Sequence, residues 1–228
     1  MPYRVLIADD HELLRTGISA MLASDPDLEV VGEAQDGEEA LELCRKLHPD
    51  LVLMDLSTPG MGGIAATGAI KTEFPRVGVL VRTAHADQSM LLDAIRAGAA
   101  GYVLKGIGPS ELVAVVRRTL EGESLVDQEL VMWLVRRLAD EVGPWADPAL
   151  EDHAEPLPES FTPRELEVLR LLPAGKTNRQ IAQELHLSLS TVKKHLERLI
   201  SKLGVSDRTQ AAVKAIDLGL VDPERAQE

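Results

Sequence analysis

The stretch LVLMDLSTPGMGG (Leu51–Gly63) runs four apolar residues straight into Asp55 and then into a loop rich in proline and glycine. An apolar run this short, bounded by turn residues, reads as a strand buried on both faces. A carboxylate at its end is costly unless something meets the charge. Four other runs have the same character: RVLIAD, LEVVGEA, VGVLV and GYVL. Helix-like segments separate them, at Glu12 to Ala23, Gly37 to Leu47, Gly62 to Glu73, Gln88 to Ala97 and Pro109 to Glu121. A strand–helix unit repeated five times predicts an α/β fold, a doubly wound five-stranded parallel sheet with helices on both faces. Such sheets bind ligands at the carboxyl ends of their strands, which is where Asp55 falls.

After Gly122 the pattern changes. DQELVMWLVRRLADE carries Leu130, Leu134 and Leu138 at helical spacing with no strand behind it, and predicts a linking helix. GPWADPALEDHAEPLPES then holds four prolines in 18 residues together with many acids, the composition of an extended tether. His153 within it is read as a solvated linker residue. From Phe161 the chain reads as short helices alone. Thr162, Pro163 and Glu165 form an N-cap, an N1 proline and a capping-box glutamate. TNRQIAQEL, SLSTVKKHLERLISKL and DRTQAAVKAIDLG follow, and the tight LHLS link between the first two predicts a helix-turn-helix. The expected division is therefore 1–122, 123–158 and 159–228.

The 228 residues carry a net charge of −13, unevenly spread. Residues 1–157 hold 13 Lys+Arg against 27 Asp+Glu, whereas residues 158–228 hold 11 against 10. Between Ser188 and Arg208, five basic residues and His195 face only Glu197 and Asp207, a local basic patch of the kind phosphate backbones attract. No stretch of about 18 apolar residues is present, so a cytoplasmic protein with no membrane partner is expected. The single cysteine, Cys44, excludes an intrachain disulfide or a cysteine metal cluster and is expected to be a structural thiol.

Three acids lie where strands end: Asp9 and Asp10 after RVLIA, and Asp55 after LVLM. In the expected fold they meet in one pocket, where their repulsion calls for a cation, and all-oxygen ligation points to Mg²⁺ rather than zinc. Thr83 and Lys105 end two further strands. A hydroxyl and an ammonium beside a magnesium site suit a bound phosphoryl group.

With Asp9-Asp10, Asp55 and its Pro59–Gly63 loop, the Thr83-Ala84 step and GYVLK ending in Lys105, residues 4–121 resemble the receiver domain of two-component response regulators, a flavodoxin/CheY-like fold. The resemblance implies that Asp55 takes a phosphoryl group from a sensor histidine kinase. It implies further that Mg²⁺ is held by Asp10, Asp55 and the backbone carbonyl of Ser57, with Asp9 supporting the site. Thr83 and Lys105 would contact the phosphoryl oxygens, and Tyr102 occupies the family's aromatic switch position. Three residues depart from the family pattern. Thr58 stands where most receivers carry Met, Arg82 where an apolar residue is usual, and Gly106 where many carry proline. A buried Arg82 must reach solvent at the strand end or pair with an acid.

TPRE, AGKTN, IAQELHLS, STVKKH and KLGVSDRTQA make residues 161–211 resemble the all-α DNA-binding domain of the NarL/FixJ and LuxR type. Leu196, Leu199, Ile200 and Leu203 form the apolar face of one helix, which leaves its start free to enter a major groove. Lys193 and Lys194 are expected at base edges or nearby phosphates, and Glu197 can accept from a cytosine amine. Thr191, Asn178 and Lys202 suit phosphate oxygens, while His195 has a phosphate-side and a structural reading. The family binds double-stranded DNA as dimers, and Ala212, Val213 and Ile216 are candidates for a small apolar contact between copies.

The sequence thus predicts a phosphorylation-controlled transcription regulator that loses its phosphoryl group slowly and is not a turnover enzyme. A phosphoaspartyl hydrolase of the haloacid dehalogenase type also uses a strand-end aspartate and Mg²⁺, but needs a second acid where Ser57 stands. The remaining alternative is a phosphorylation-independent DNA-binding regulator whose receiver serves as a dimerisation module.

Overall fold

The computed structural model describes residues 2–84, 88–121, 161–218 and 220, in two compact units spanning residues 1–125 and 126–228. His153, the expected linking helix and the tether lie outside the described residues.

The first unit alternates strands and helices as the sequence predicts: β1 (Tyr3–Ala8), α1 (Glu12–Leu22), β2 (Leu28–Ala34), α2 (Gly37–Leu47), β3 (Leu51–Asp55), α3 (Gly63–Glu73), β4 (Gly78–Thr83), α4 (Gln88–Arg96), β5 (Gly101–Leu104) and α5 (Pro109–Leu120). The strands form one parallel sheet in the order β2-β1-β3-β4-β5. Central β3 is buried at all five positions, in keeping with its unbroken apolar run. Helices α1 and α5 pack together, as do α2 and α3. The Asp36 side chain starts α2 by accepting from the Glu39 N–H at 2.8 Å, and Pro109 opens α5. Cys44 on α2 is fully buried, and burial pushes its thiol up to about 12, as befits a packing residue.

Period-two alternation carries one core cluster to the site. Val5 and Ile7 of β1, Leu51 and Leu53 of β3, Leu80 of β4 and Val103 of β5 pack in one cluster with Ile18 and Leu22 of α1 and Leu112 and Val116 of α5. Two residues further along each strand, that face ends in Asp9, Asp55, Arg82 and Lys105. Strand β4 runs through Arg82 and Thr83 because Asp55 pairs with Arg82 and Thr83 with Leu104 in the ladder. Arg82 therefore stands inside the sheet, not at a solvated strand end.

The second unit contains α6 (Pro163–Leu171), α7 (Asn178–Glu184), α8 (Leu189–Leu203) and α9 (Arg208–Asp217). Capping boxes at Thr162/Glu165 and Thr177/Gln180 start α6 and α7. Ser188 caps α8, and Gly204 ends it with a left-handed φ of 67°. The core joins Val168, Leu169 and Leu172 to Ile181, Val192, Leu196, Leu199 and Leu203, with Ala211, Ala212 and Ala215 of α9 closing it. Ala212 and Ile216 are 7% and 5% exposed. Ala212 belongs to this domain's own core cluster, and Val213 beside it is half-buried.

Candidate functional site

Asp55 is fully buried, and both of its oxygens are engaged. Oδ2 accepts from the Lys105 ammonium at 2.6 Å, and Oδ1 from the Ser57 backbone N–H at 3.2 Å. The following loop folds tightly over it. Thr58 is 6% exposed, and its hydroxyl points to the Asp55 carbonyl at 3.4 Å. Gly63 approaches so closely that a Cβ there would stand 2.2 Å from the Asp55 carbonyl oxygen, which only glycine permits. Gly106, next to Lys105, takes a φ of +97°, a conformation that proline does not adopt.

The acidic pair is divided between interior and surface. Asp9 is fully buried; its Oδ1 accepts from the His11 N–H at 2.9 Å and its Oδ2 from Arg82 Nη1 at 2.7 Å. Asp10 is exposed, with Oδ1 2.6 Å from His11 Nδ1. Asp9, Asp10 and His11 bring their ligand atoms within 4.8 Å of one another. Asp55 stands outside that group, drawn to Lys105 while Asp9 is drawn to Arg82. The acid that pairs with Arg82 was not legible in the sequence, because the partners are 73 residues apart and on strands separated by β3. The only signal was that a buried arginine demands a partner.

Thr83 is 4% exposed, and Tyr102 on β5 is half-buried. The ladder pairs Val81 with Tyr102 and Thr83 with Leu104. Alternation thus puts Thr83 and Tyr102 on one side of the sheet, opposite the row of Asp55 and Lys105.

In the helical domain, α7 and α8 form the helix-turn-helix across Leu185–Ser188, where His186 takes a φ of 52°. Val192, Leu196, Leu199 and Leu203 turn one side of α8 into the core. Lys194, Glu197 and Arg198 are exposed, while Thr191 and Lys193 are half-buried. The hydroxyls of Ser188 and Thr191 lie 2.7 Å apart at the helix start.

Three expected DNA contacts have other surroundings. Asn178 is 5% exposed; its Oδ1 accepts from Arg208 Nη1 at 2.8 Å, and its enclosed Nδ2 has no hydrogen-bond partner among the described residues. Lys202 donates to the buried capping-box residue Glu165 at 2.9 Å and lies over the Phe161 ring. Burial pushes the Glu165 carboxyl up, yet the bonds from Lys202 and Thr162 outweigh it and hold the group below its usual range. His195 is half-buried, and its enclosed Nδ1 has no hydrogen-bond partner among the described residues.

Residues 5–117 match the response regulator receiver domain, and residues 159–215 the luxR family of bacterial regulatory proteins. The chain is 42% identical over 212 residues to the transcriptional regulatory protein LiaR of Bacillus subtilis, covering 93% of this chain and 96% of that one. It is 38% identical over 221 residues to the response regulator protein VraR of Staphylococcus aureus, covering 97% and 100%. Among solved structures, the two-component response regulator of the LuxR family from Aurantimonas sp. superposes with a TM-score of 0.55 at 35% identity, over 60% of this chain and 99% of that one. RcsB of Salmonella typhimurium does so with 0.53 at 26% identity, over 95% and 100%. No helix among the described residues is long and apolar enough to cross a membrane. A receiver fold with its row of strand-end charges, followed by a helix-turn-helix matched in the same relatives, makes this chain a member of the response regulators with a LuxR-type DNA-binding domain, a regulator of transcription.

Proposed function

We propose that Asp55 accepts a phosphoryl group from a sensor histidine kinase, and that the modified receiver controls DNA binding by the helix-turn-helix. The observation that carries this reading is the buried Asp55 carboxylate, with a lysine ammonium on one oxygen and a backbone N–H on the other. Beside it, the exposed Asp10 and the buried Asp9 offer carboxylate oxygens, with the His11 imidazole within 4.8 Å of both, and the carbonyl of Ser57 is the remaining oxygen donor of this reading. These residues fit Mg²⁺, which when bound would neutralise charge on the transferring group. A carboxylate is a weak nucleophile toward phosphorus, so the chain's own contribution is placement and charge. An Asp55 oxygen bonds to phosphorus as the P–N bond of the donor phosphohistidine breaks and the imidazole leaves. Lys105 then meets the phosphoryl oxygens, and Thr83 moves toward them, followed on the same side of the sheet by Tyr102. Hydrolysis of the acyl phosphate is slow, and the chain does not turn over a substrate.

On the DNA side, Lys193 and Lys194 contact base edges or phosphates, with Glu197 and Thr191 beside them and two copies on adjacent half-sites of the duplex. The protein acts in the cytoplasm, with residues 123–158 as connector. The test is incubation of the full chain with a small phosphodonor and Mg²⁺. A one-phosphoryl mass gain that Asp55→Asn abolishes is expected, and steady release of phosphate at enzyme-like turnover would overturn the reading.

A further inference from the structure

Arg82 is the one charged side chain in the β4 run GVLVRT, and it is 5% exposed. An arginine is buried at this depth only when its charge is matched. Its match is Asp9: Nη1 donates to Oδ2 at 2.7 Å across the end of β3. Among the described residues Nε is enclosed without a hydrogen bond, and Asp9 is the acid that meets the guanidinium charge.

The charge row at this end of the sheet therefore contains Asp9, Asp10 and Asp55 against Arg82 and Lys105, a formal balance of −1. Without Arg82 the same row would carry −2, the charge that a divalent ion cancels. We propose that Arg82 is a built-in cation of the metal site that competes with Mg²⁺ for Asp9, so that this chain binds Mg²⁺ more weakly than it would with a neutral residue at position 82. This rests on the reading of Asp9, Asp10 and Asp55 as the metal site. Two effects act in the same direction. The guanidinium repels a divalent ion a few ångströms away, in surroundings where charge is poorly screened. It also occupies the Asp9 oxygen that would otherwise turn to the metal.

Isothermal calorimetry of the full chain with Mg²⁺, checked by the Mg²⁺-dependent shift in melting temperature, tests the idea. Arg82→Gln keeps a hydrogen-bond donor for Asp9 but removes the charge, and should bind Mg²⁺ on the order of tenfold more tightly. Arg82→Lys keeps the charge and should stay within about threefold of the parent. Asp10→Asn should lose Mg²⁺ binding in every background. If Asp10→Asn removes binding while Arg82→Gln matches or falls below the parent affinity, the role of Arg82 is refuted and the metal site stands. If Asp10→Asn leaves Mg²⁺ binding unchanged, the metal site itself is refuted, and the role of Arg82 with it. Should Arg82→Gln fail to fold, Arg82→Met serves as the neutral variant and is read the same way. If neither neutral variant folds, Arg82 acts as a structural anchor and the proposal fails.

Discussion

At the scale of single residues, the site depends on close approach as much as on charge. Gly63 brings α3 against the carbonyl of Asp55, and no side chain fits the 2.2 Å left for a Cβ. Gly63→Ala is expected to destabilise the receiver by about 2 kcal/mol or more, as overpacking against fixed backbone does. It should also slow phosphorylation of Asp55 by displacing the loop. Urea unfolding and the rate of adduct formation check the two effects, and a variant as stable and as reactive as the parent would contradict the packing account. The strand-end positions of Asp9, Asp55, Thr83 and Lys105 were legible in the sequence because strand boundaries alone locate them. Arg82–Asp9 was not, since that pair depends on strand order, which local pattern does not encode. The bond from Arg208 to Asn178 was hidden for a related reason: its partners are 30 residues apart, on different helices.

At the scale of elements, two helices carry separable predictions. Helix α5 is tied to the α1–β2 turn by Arg117, which pairs with Asp25 and, at 2.6 Å, with Asp27. The Arg117 hydrogen bonds, helped by the Asp27 backbone N–H, lower the Asp25 carboxyl from 3.8 to about 2. The folded carboxyl thus holds its proton less tightly than the unfolded one. The pair's contribution is fully present above the unfolded value and is lost as pH falls through the folded one. Melting temperature should drop between pH 4 and 2 in the parent, and Arg117→Met should remove that part of the pH dependence while melting lower at pH 7. Equal pH profiles for the two proteins would dismiss the tie. On α8, the buried stripe of Val192, Leu196, Leu199 and Leu203 fixes which side faces away from the core. Lys193→Ala combined with Lys194→Ala should weaken DNA binding and lower the salt slope by about one for each phosphate contact removed. Phosphorylation at Asp55 should proceed unchanged in that variant. Undiminished binding would mean that a different element reads the DNA.

At the scale of the whole molecule, charge is partitioned between an acidic receiver part and a nearly neutral C-terminal part with a basic patch between Ser188 and Arg208. That division was legible from composition, and the presence of two differently built units from strand–helix alternation in the first and from capping boxes and short helices in the second. The central claim is that one added phosphoryl group at Asp55 changes DNA binding by a domain that does not contain Asp55. The direct measurement is fluorescence anisotropy of the full chain on a duplex it selects from a random pool, with and without a small phosphodonor and Mg²⁺. DNA affinity should change at least about tenfold on phosphorylation, a coupling of about 1.4 kcal/mol. Asp55→Asn should show no such change. Equal affinity of the phosphorylated and unphosphorylated parent would contradict the account and leave the receiver as a dimerisation module that ignores its own aspartate.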